Sequence, residues 1–188
     1  HNGPIYDLDF SPVEPLLATA SEDQTVRLWN QEGKTVALLE HDHLVRRVAF
    51  SPDGQLIATV GYADTIQLWK RTGEHLRTLK GHREFVLSVD FSPDGKTLAS
   101  AGVAQTIKLW SLAGQEIQTI KGHTAAILEI HFSPDGKTLA SAADDNTVRL
   151  WDLEGNELKV FEHGHTVESV NFSPDGKLVA TGGRENLA

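Results

Sequence analysis

One motif recurs along the chain at a nearly constant interval of 40 or 41 residues. Phe-Ser-Pro occurs five times, and four of the five copies continue as Asp-Gly. A histidine stands nine residues before each of these phenylalanines, and the four tryptophans keep the same interval. The phenylalanines are Phe10, Phe50, Phe91, Phe132 and Phe172. Because three markers share one register, the chain is one supersecondary unit copied head to tail.

Each unit has the pattern of short β-strands. Apolar residues alternate before each phenylalanine, as at Val48 and Phe50, and this period of two indicates a strand. Pro-Asp-Gly then predicts a tight turn, because proline presets φ and glycine accepts positive φ. Segments such as LIATV, TIQLW and HLRTLK predict three further strands. No long stretch with a clean helical period interrupts them, so we expect an all-β chain.

A unit of this length with four strands is typical of one blade of a β-propeller. We therefore predict an all-β fold, a β-propeller of four-stranded antiparallel blades, with four whole blades plus half of a fifth in this chain. The units of this single domain over 1–188 are 1–40, 41–81, 82–122, 123–162 and the partial 163–188.

The predicted ring is incomplete. The strands missing from the last unit cannot come from the first unit, which already has four of its own. Two alternatives stay open: an excerpt of a longer propeller, and a chain whose copies close the ring as a homo-oligomer. In either case we expect apolar faces and strand edges at the ends of the stack.

The combination of Gly-His at 81–82 and 122–123, Ser-Pro-Asp-Gly and Trp-Asp at 151–152 resembles the WD40 repeat family. The resemblance covers the whole chain, and its regular style is similar to that of bacterial members. It implies a rigid, non-catalytic scaffold that binds other proteins and needs no cofactor. The incomplete ring adds copies of the chain itself to the candidate partners.

The resemblance also implies a hydrogen-bonded set in each blade, made of the register histidine, a Ser or Thr, an Asp and the tryptophan. The sets of the first and fourth units are His1, Thr19, Asp23 and Trp29, and His123, Ser141, Asp145 and Trp151. Hydrolase triads use the same residue types, but these sets recur with the period of the fold and lack a nucleophile elbow. We therefore expect a structural role. Ala63 and Ala104 replace the Asp in units two and three, and we expect the blades of these units to be looser. Whether the neighbouring Asp64 substitutes for the missing Asp in unit two stays open.

In this family, partners commonly dock where the loops before the first strand and between the second and third strands meet. Units two and three place large apolar and basic residues in these loops, whereas units one and four place small, polar or acidic ones. The candidate partner-binding residues are Leu44, Tyr62, Arg83, Phe85 and Val103. Aromatic residues with arginine are typical of interface hot spots. The alternative is that some of them fill the upper core.

Several classes of function are disfavoured by composition. A net charge of −9 argues against nucleic-acid binding. No apolar run reaches the length of a membrane span and no signal segment opens the chain, so we expect no membrane association and a cytoplasmic location. There is no cysteine, and the His-x-His pairs at 41–43 and 163–165 lack a third ligand, so we expect no metal site.

Overall fold

Each predicted unit folds into strands whose boundaries follow the sequence pattern. The computed structural model describes residues 1–184. The strands, in chain order, are β1 Ile5–Phe10, β2 Leu17–Ser21, β3 Thr25–Trp29, β4 Thr35–Glu40, β5 Val45–Phe50, β6 Leu56–Gly61, β7 Thr65–Lys70, β8 His75–Lys80, β9 Val86–Phe91, β10 Thr97–Gly102, β11 Thr106–Ser111, β12 Glu116–Lys121, β13 Ile127–Phe132, β14 Thr138–Ala143, β15 Thr147–Asp152, β16 Glu157–Glu162, β17 Val167–Phe172 and β18 Val179–Gly183.

The strands form five separate antiparallel sheets, one for each unit. Neighbouring strands follow chain order within each sheet, as in β1-β2-β3-β4. The first four sheets have four strands each, and the fifth has two, β17 and β18. This arrangement confirms the all-β prediction of four complete four-stranded antiparallel sheets and half of a fifth. Each sheet is called a blade below.

The Pro-Asp-Gly turn fixes the connection between the first and second strands of a blade. Ser51 Oγ accepts a hydrogen bond from the N–H of Leu56 at 2.9 Å, and its hydroxyl donates to Asp53 Oδ1 at 2.6 Å. Gly54 has a φ of 65°, in the left-handed region that glycine adopts without steric cost. The same bonds recur in the third, fourth and fifth units. Local residues alone therefore determine this turn.

Neighbouring blades pack face to face through the apolar side chains of each first strand. Val48 is 4% and Phe50 7% exposed, and both pack in one cluster with Ala18, Ala20 and Leu28 of the first blade. Equivalent clusters join the second blade to the third and the third to the fourth. Burying one such side chain contributes about 1.5–3 kcal/mol, so each blade gains much of its stability from its neighbours.

The first blade leaves one face uncovered in the part of the chain that the structure describes. Leu8 and Phe10 occupy the positions of Val48 and Phe50, yet they are 55% and 67% exposed. Ile5, which corresponds to the fully buried Val45, is 53% exposed. The described blades therefore form an open stack, because no blade covers this face.

Polar side chains on the first strands also join neighbouring blades. Asp9 Oδ2 accepts the N–H of Phe50 at 2.7 Å, and Glu129 Oε2 accepts the N–H of Val170 at 2.8 Å. Asp7, Ser88 and Asp90 make the same type of bond to the following blade. The second blade has Arg47 and Ala49 at these positions, so its junction with the third blade lacks such bonds.

Arg47 instead forms an ion pair on each side. Its guanidinium donates to Asp7 of the first blade at 3.2 Å and to Glu129 of the fourth blade. His131 lies near the carboxylates of Asp90 and Glu129; burial opposes its charged form, but these two carboxylates outweigh burial and raise its pKa to about 10. The first strands of four blades are thus linked by alternating charges.

Candidate functional site

The first blade contains the predicted hydrogen-bonded set. His1 Nε2 lies 2.6 Å from Thr19 Oγ1, which also accepts the indole N–H of Trp29 at 2.8 Å. His1 Nδ1 lies 2.9 Å from Asp23 Oδ2. The Asp23 carboxylate also accepts the N–H of Asn2 at 2.7 Å and bonds to the residue that opens the third strand. The set therefore ties the loop before the first strand to the second and third strands.

The fourth blade repeats this geometry. His123 Nε2 lies 2.6 Å from Ser141 Oγ, the indole of Trp151 donates to Ser141 Oγ at 2.8 Å, and His123 Nδ1 lies 2.8 Å from Asp145 Oδ2. Ser141 is fully buried and its oxygen already accepts the indole hydrogen. A substrate has no access to a hydroxyl in this position, so the arrangement suits a structural role and not a nucleophile.

The second and third blades keep the histidine, hydroxyl and tryptophan but lack the carboxylate. His41 Nε2 lies 2.8 Å from Thr59 Oγ1, and His82 Nε2 lies 2.7 Å from Ser100 Oγ. Nδ1 of His41 contacts the carbonyl oxygen of Leu39 at 3.1 Å, whereas Nδ1 of His82 is buried without a hydrogen-bond partner. Burial is the main cause that lowers the pKa of each imidazole to about 4. Asp64 forms no hydrogen bond to His41 among the described residues.

The structure brings the candidate partner-binding residues of blades two and three together. Tyr62 and Phe85 are 47% and 44% exposed, and their rings stack with centroids 5.0 Å apart and planes 7° from parallel. The N–H of Tyr62 donates to the carbonyl of Leu44 at 3.2 Å, and the N–H of Val103 donates to the carbonyl of Phe85 at 3.0 Å. Leu44 and Val103 are half-buried. Arg83 is exposed two residues before Phe85.

Sequence reasoning missed Tyr6, a third exposed aromatic residue on this surface. Its ring is 43% exposed, its hydroxyl donates to Glu22 Oε2 at 3.1 Å, and it interacts electrostatically with Tyr62 and Arg46. The hydrogen bond to Glu22 is the main cause that raises the pKa of Tyr6. Tyr6 and Arg46 each lie where the pairing of the first two strands is irregular. A search restricted to loops overlooks Tyr6, because residues at such irregularities lie within strands.

The term aromatic surface is used below for this set of residues on the first three blades. It consists of Tyr6, Leu44, Tyr62, Arg83, Phe85 and Val103. Its three exposed rings and its arginine can bury apolar area and offer directed hydrogen bonds at the same time. Such a surface can bind another protein, and it holds no combination of acid, base and nucleophile that would carry a reaction.

Residues 1–184 contain no group of three or more His, Cys, Asp or Glu side chains placed to hold a metal ion. Nor does this part of the chain contain a helix that is long and apolar enough to cross a membrane.

Several curated proteins share a short region of sequence with this chain. Eukaryotic translation initiation factor 3 subunit I of Aspergillus fumigatus is 48% identical over 50 residues, which is 26% of this chain and 15% of that protein. The subunit of the same name in Neosartorya fischeri is 47% identical over 49 residues, 26% of this chain and 14% of that protein. The chain thus spans only about one seventh of the length of the curated relatives it matches.

Family membership is shown by a match that covers nearly the whole chain. The model of the WD domain, G-beta repeat, matches residues 1–30, 33–70, 73–111, 114–152 and 155–187. These five matches account for the repeated phenylalanines, the tryptophans and the four-stranded sheets. The chain therefore belongs to the WD40 repeat family.

Proposed function

We propose that this chain is a non-catalytic, cytoplasmic scaffold that binds another protein through the aromatic surface. The observation that carries the proposal is the stacked pair Tyr62 and Phe85, which spans two blades while nearly half of each side chain faces solvent. Large aromatic side chains that remain exposed in one place are the usual anchors of a protein interface.

The exposure of the two rings bears on the alternative that they fill the upper core. Core phenylalanines of this chain, such as Phe50 and Phe91, are 7% and 5% exposed, far below the 44% of Phe85. Leu44 and Val103 are half-buried residues of the loops and contribute shape to the surface. The stacked rings therefore supply the binding energy in this proposal, and the two aliphatic residues support them.

The relatives support a role in protein assembly. Their name describes them as a subunit of a translation initiation factor, and a subunit contacts other proteins. The matched region is a small part of those proteins, so we extend to this chain only the general role of binding protein partners.

The test compares the double variant Tyr62→Ala, Phe85→Ala with the control Ile117→Ala. Ile117 is 58% exposed on β12 of the third blade, outside the aromatic surface. Each immobilised chain is used to capture proteins from a cell extract, and the captured proteins are quantified. Loss of one hot-spot side chain costs about 2 kcal/mol or more, roughly 30-fold in Kd. We expect the double variant to lose partners that the control retains.

Thermal unfolding decides between an interface and a core. Exposed substitutions change the free energy of unfolding by about 0.5 kcal/mol or less, whereas truncating a core phenylalanine costs about 3–5 kcal/mol. A double variant that unfolds far below the wild type would place the two rings in the core. Equal capture by the double variant and the wild type would also refute the proposal.

A second candidate function is self-association through the uncovered face of the first blade. Leu8 and Phe10 on this face match the buried Val48 and Phe50 of the second blade. At the other end of the stack, Ser169 and Asn171 are exposed, at the positions where Ser88 and Asp90 accept hydrogen bonds from the following blade. A second copy, packed head to tail, would meet apolar residues and acceptors in the register that joins blades inside the chain.

The oligomeric mass of the purified chain tests this second candidate. We expect light scattering to detect oligomers in the wild type, and Phe10→Glu to dissociate them because a carboxylate is costly to bury at the contact. Ile117→Glu is the control, since Ile117 is 58% exposed on β12 of the third blade, two blades away from Leu8 and Phe10. A wild-type chain that stays monomeric at all concentrations would exclude self-association.

A further inference from the structure

The third blade contains an incomplete copy of a carboxylate-binding arrangement. In the first and fourth blades, the carboxylate of an aspartate contacts the register histidine. It also accepts hydrogen bonds from the N–H of the residue that follows this histidine, and from the N–H and hydroxyl of a threonine. Asp145 shows the set, with His123 Nδ1 at 2.8 Å, the N–H of Thr124 at 2.9 Å, and the N–H and hydroxyl of Thr147 at 3.1 and 2.6 Å. In the third blade Ala104 takes the place of the aspartate.

The groups that hold the carboxylate are all still present in the third blade. His82 corresponds to His123, Arg83 supplies the next N–H, and Thr106 stands two residues after Ala104, as Thr147 does after Asp145. The side chain of Thr106 and the N–H of Arg83 have no partner within residues 1–184. The missing element is therefore the acceptor and not the donors.

His82 shows the consequence of the missing acceptor. Its side chain is almost completely buried at 6% exposure, and Nδ1 has no hydrogen-bond partner in the described structure. Ser100 Oγ accepts the indole N–H of Trp110 at 2.8 Å, so its own hydrogen is available to donate to Nε2 of His82 at 2.7 Å. Nδ1 then carries the hydrogen and is an unpaired buried donor, which destabilises the folded state.

The turn beside the vacancy keeps the geometry of the complete blades. Gln105 has a φ of 62°, close to the 67° of Gln24 and the 64° of Asn146 at the same position in the first and fourth blades. In the second blade Asp64 does not have positive φ, and His41 Nδ1 contacts a backbone carbonyl instead. The third blade thus retains the arrangement of donors but has no acceptor from within the described chain.

A basic cavity of about 350 Å³ opens at this position. It is lined by Gly81, Arg83, Ala104, Thr106, Lys108, Thr119 and Lys121, so three cations and no carboxylate face it. Lys108 is paired with Glu116 at 2.7 Å, whereas Arg83 and Lys121 are exposed. Burial and the charge of Lys108 lower the pKa of His82, while the charges of Glu116 and Asp64 oppose them and favour its charged form, as a bound carboxylate would.

We propose that the space beside Ala104 binds a carboxylate from outside the chain, held by His82 Nδ1 together with Arg83 and Thr106. The ligand takes the place that Asp145 fills in the fourth blade. Two sources share this chemistry: the acidic side chain of a protein that docks on the adjacent aromatic surface, and a free small carboxylate. The site itself does not depend on the proposed function, although the first source does.

Acetate is the probe that tests the site without any partner. The complete chain, labelled with ¹⁵N, is titrated with sodium acetate at constant ionic strength, and the imidazole nitrogens of His82 are observed by NMR. We expect a saturable shift of Nδ1, with half-saturation in the millimolar range that a small ligand with few contacts reaches. Sodium chloride in place of acetate should not produce it.

Two variants provide matched controls. Ala104→Asp supplies the carboxylate from within the chain, so the His82 signals should move towards those of His123 and stop responding to acetate. Asp145→Ala creates the same vacancy in the fourth blade, so His123 should begin to respond to acetate. The proposal is overturned if His82 shows no saturable response, if chloride reproduces the response, or if Ala104→Asp retains it.

The capture experiment distinguishes the two sources. If Ala104→Asp loses partners that Ile117→Ala retains, the carboxylate that binds is the partner's acidic side chain. If capture is unchanged while acetate still binds the wild type, the source is a free small carboxylate. Failure of the aromatic surface to capture any partner leaves the acetate result unaffected, so the two proposals can fail separately.

Discussion

Removal of Asp145 should weaken the fourth blade by an amount that its contacts define. The carboxylate accepts four hydrogen bonds of 2.6–3.1 Å from His123, Thr124 and Thr147, and its side chain is 5% exposed. Burial alone would raise the pKa of Asp145, but the bonds from Thr147, Thr124 and His123 outweigh burial and lower it. Asp145→Ala therefore removes a charged acceptor that the folded state stabilises.

The magnitude follows from what is left behind. Hydrogen bonds to a charged group contribute about 1.5–3 kcal/mol each, and an orphaned buried donor costs about 1–3 kcal/mol. These contributions do not add fully, because Thr124 is exposed and water can replace one bond. We expect Asp145→Ala to lower the free energy of unfolding by about 2–4 kcal/mol. Ala104→Asp should raise it by a smaller amount, about 1–2 kcal/mol, since the new carboxylate must also be desolvated.

The assay is native-state hydrogen exchange, which reports the stability of each blade separately. Exchange should accelerate at β14 and β15 in Asp145→Ala and slow at β10 and β11 in Ala104→Asp. Ala63→Asp is the control, because His41 Nδ1 already has a backbone partner and the turn of the second blade differs. Asp145→Ala with unchanged exchange, or an equal gain from Ala63→Asp and Ala104→Asp, would refute the reasoning.

Two further predictions concern pH and packing. The folded pKa of about 4 at His41 and His82 lies below their unfolded value, so the unfolded chain binds more protons between pH 6.5 and 4. The contribution of these two histidines is therefore constant above about pH 7 and falls as the pH drops towards 4, by up to about 3 kcal/mol per histidine. His131, whose pKa is raised to about 10, acts in a different range, because its contribution is lost as the pH rises above about 6.5. Equal urea midpoints at pH 7 and 4.5 would contradict the prediction for His41 and His82. Phe50→Ala should lower the free energy of unfolding by about 3–5 kcal/mol and Phe10→Ala by less than about 1 kcal/mol, because these side chains are 7% and 67% exposed. Similar losses of stability in thermal unfolding would show that the first blade is covered in solution.

The sequence predicted the blades because their signals are local. Proline, aspartate and glycine fix a turn through bonds that span two to five residues, as between Ser51, Asp53 and Leu56. Alternating apolar residues determine which face of a strand is buried. Repetition of these signals in five copies indicated the number of strands and the face-to-face packing of units.

Only the tertiary structure determined how residues of different units meet. Tyr62 and Phe85 were expected on one surface, but their stacking depends on how the second and third blades are placed beside each other. The ion pair of Arg47 with Glu129 joins the same position of the second and fourth units, 82 residues apart, and depends on how these two blades are placed relative to each other. Tyr6 joins the aromatic surface at a pairing irregularity that the alternation of residues does not predict.

The vacancy in the third blade illustrates the same division. The alanines at positions 63 and 104 are equivalent in the sequence, and both predicted a missing hydrogen bond. In the structure the second blade changes its turn and gives His41 Nδ1 another partner, whereas the third keeps its turn and leaves His82 Nδ1 unpaired. The residue pattern determines which bond is lost, but the backbone around it decides whether the freed donor finds a new acceptor, because that depends on distances between separate strands and loops.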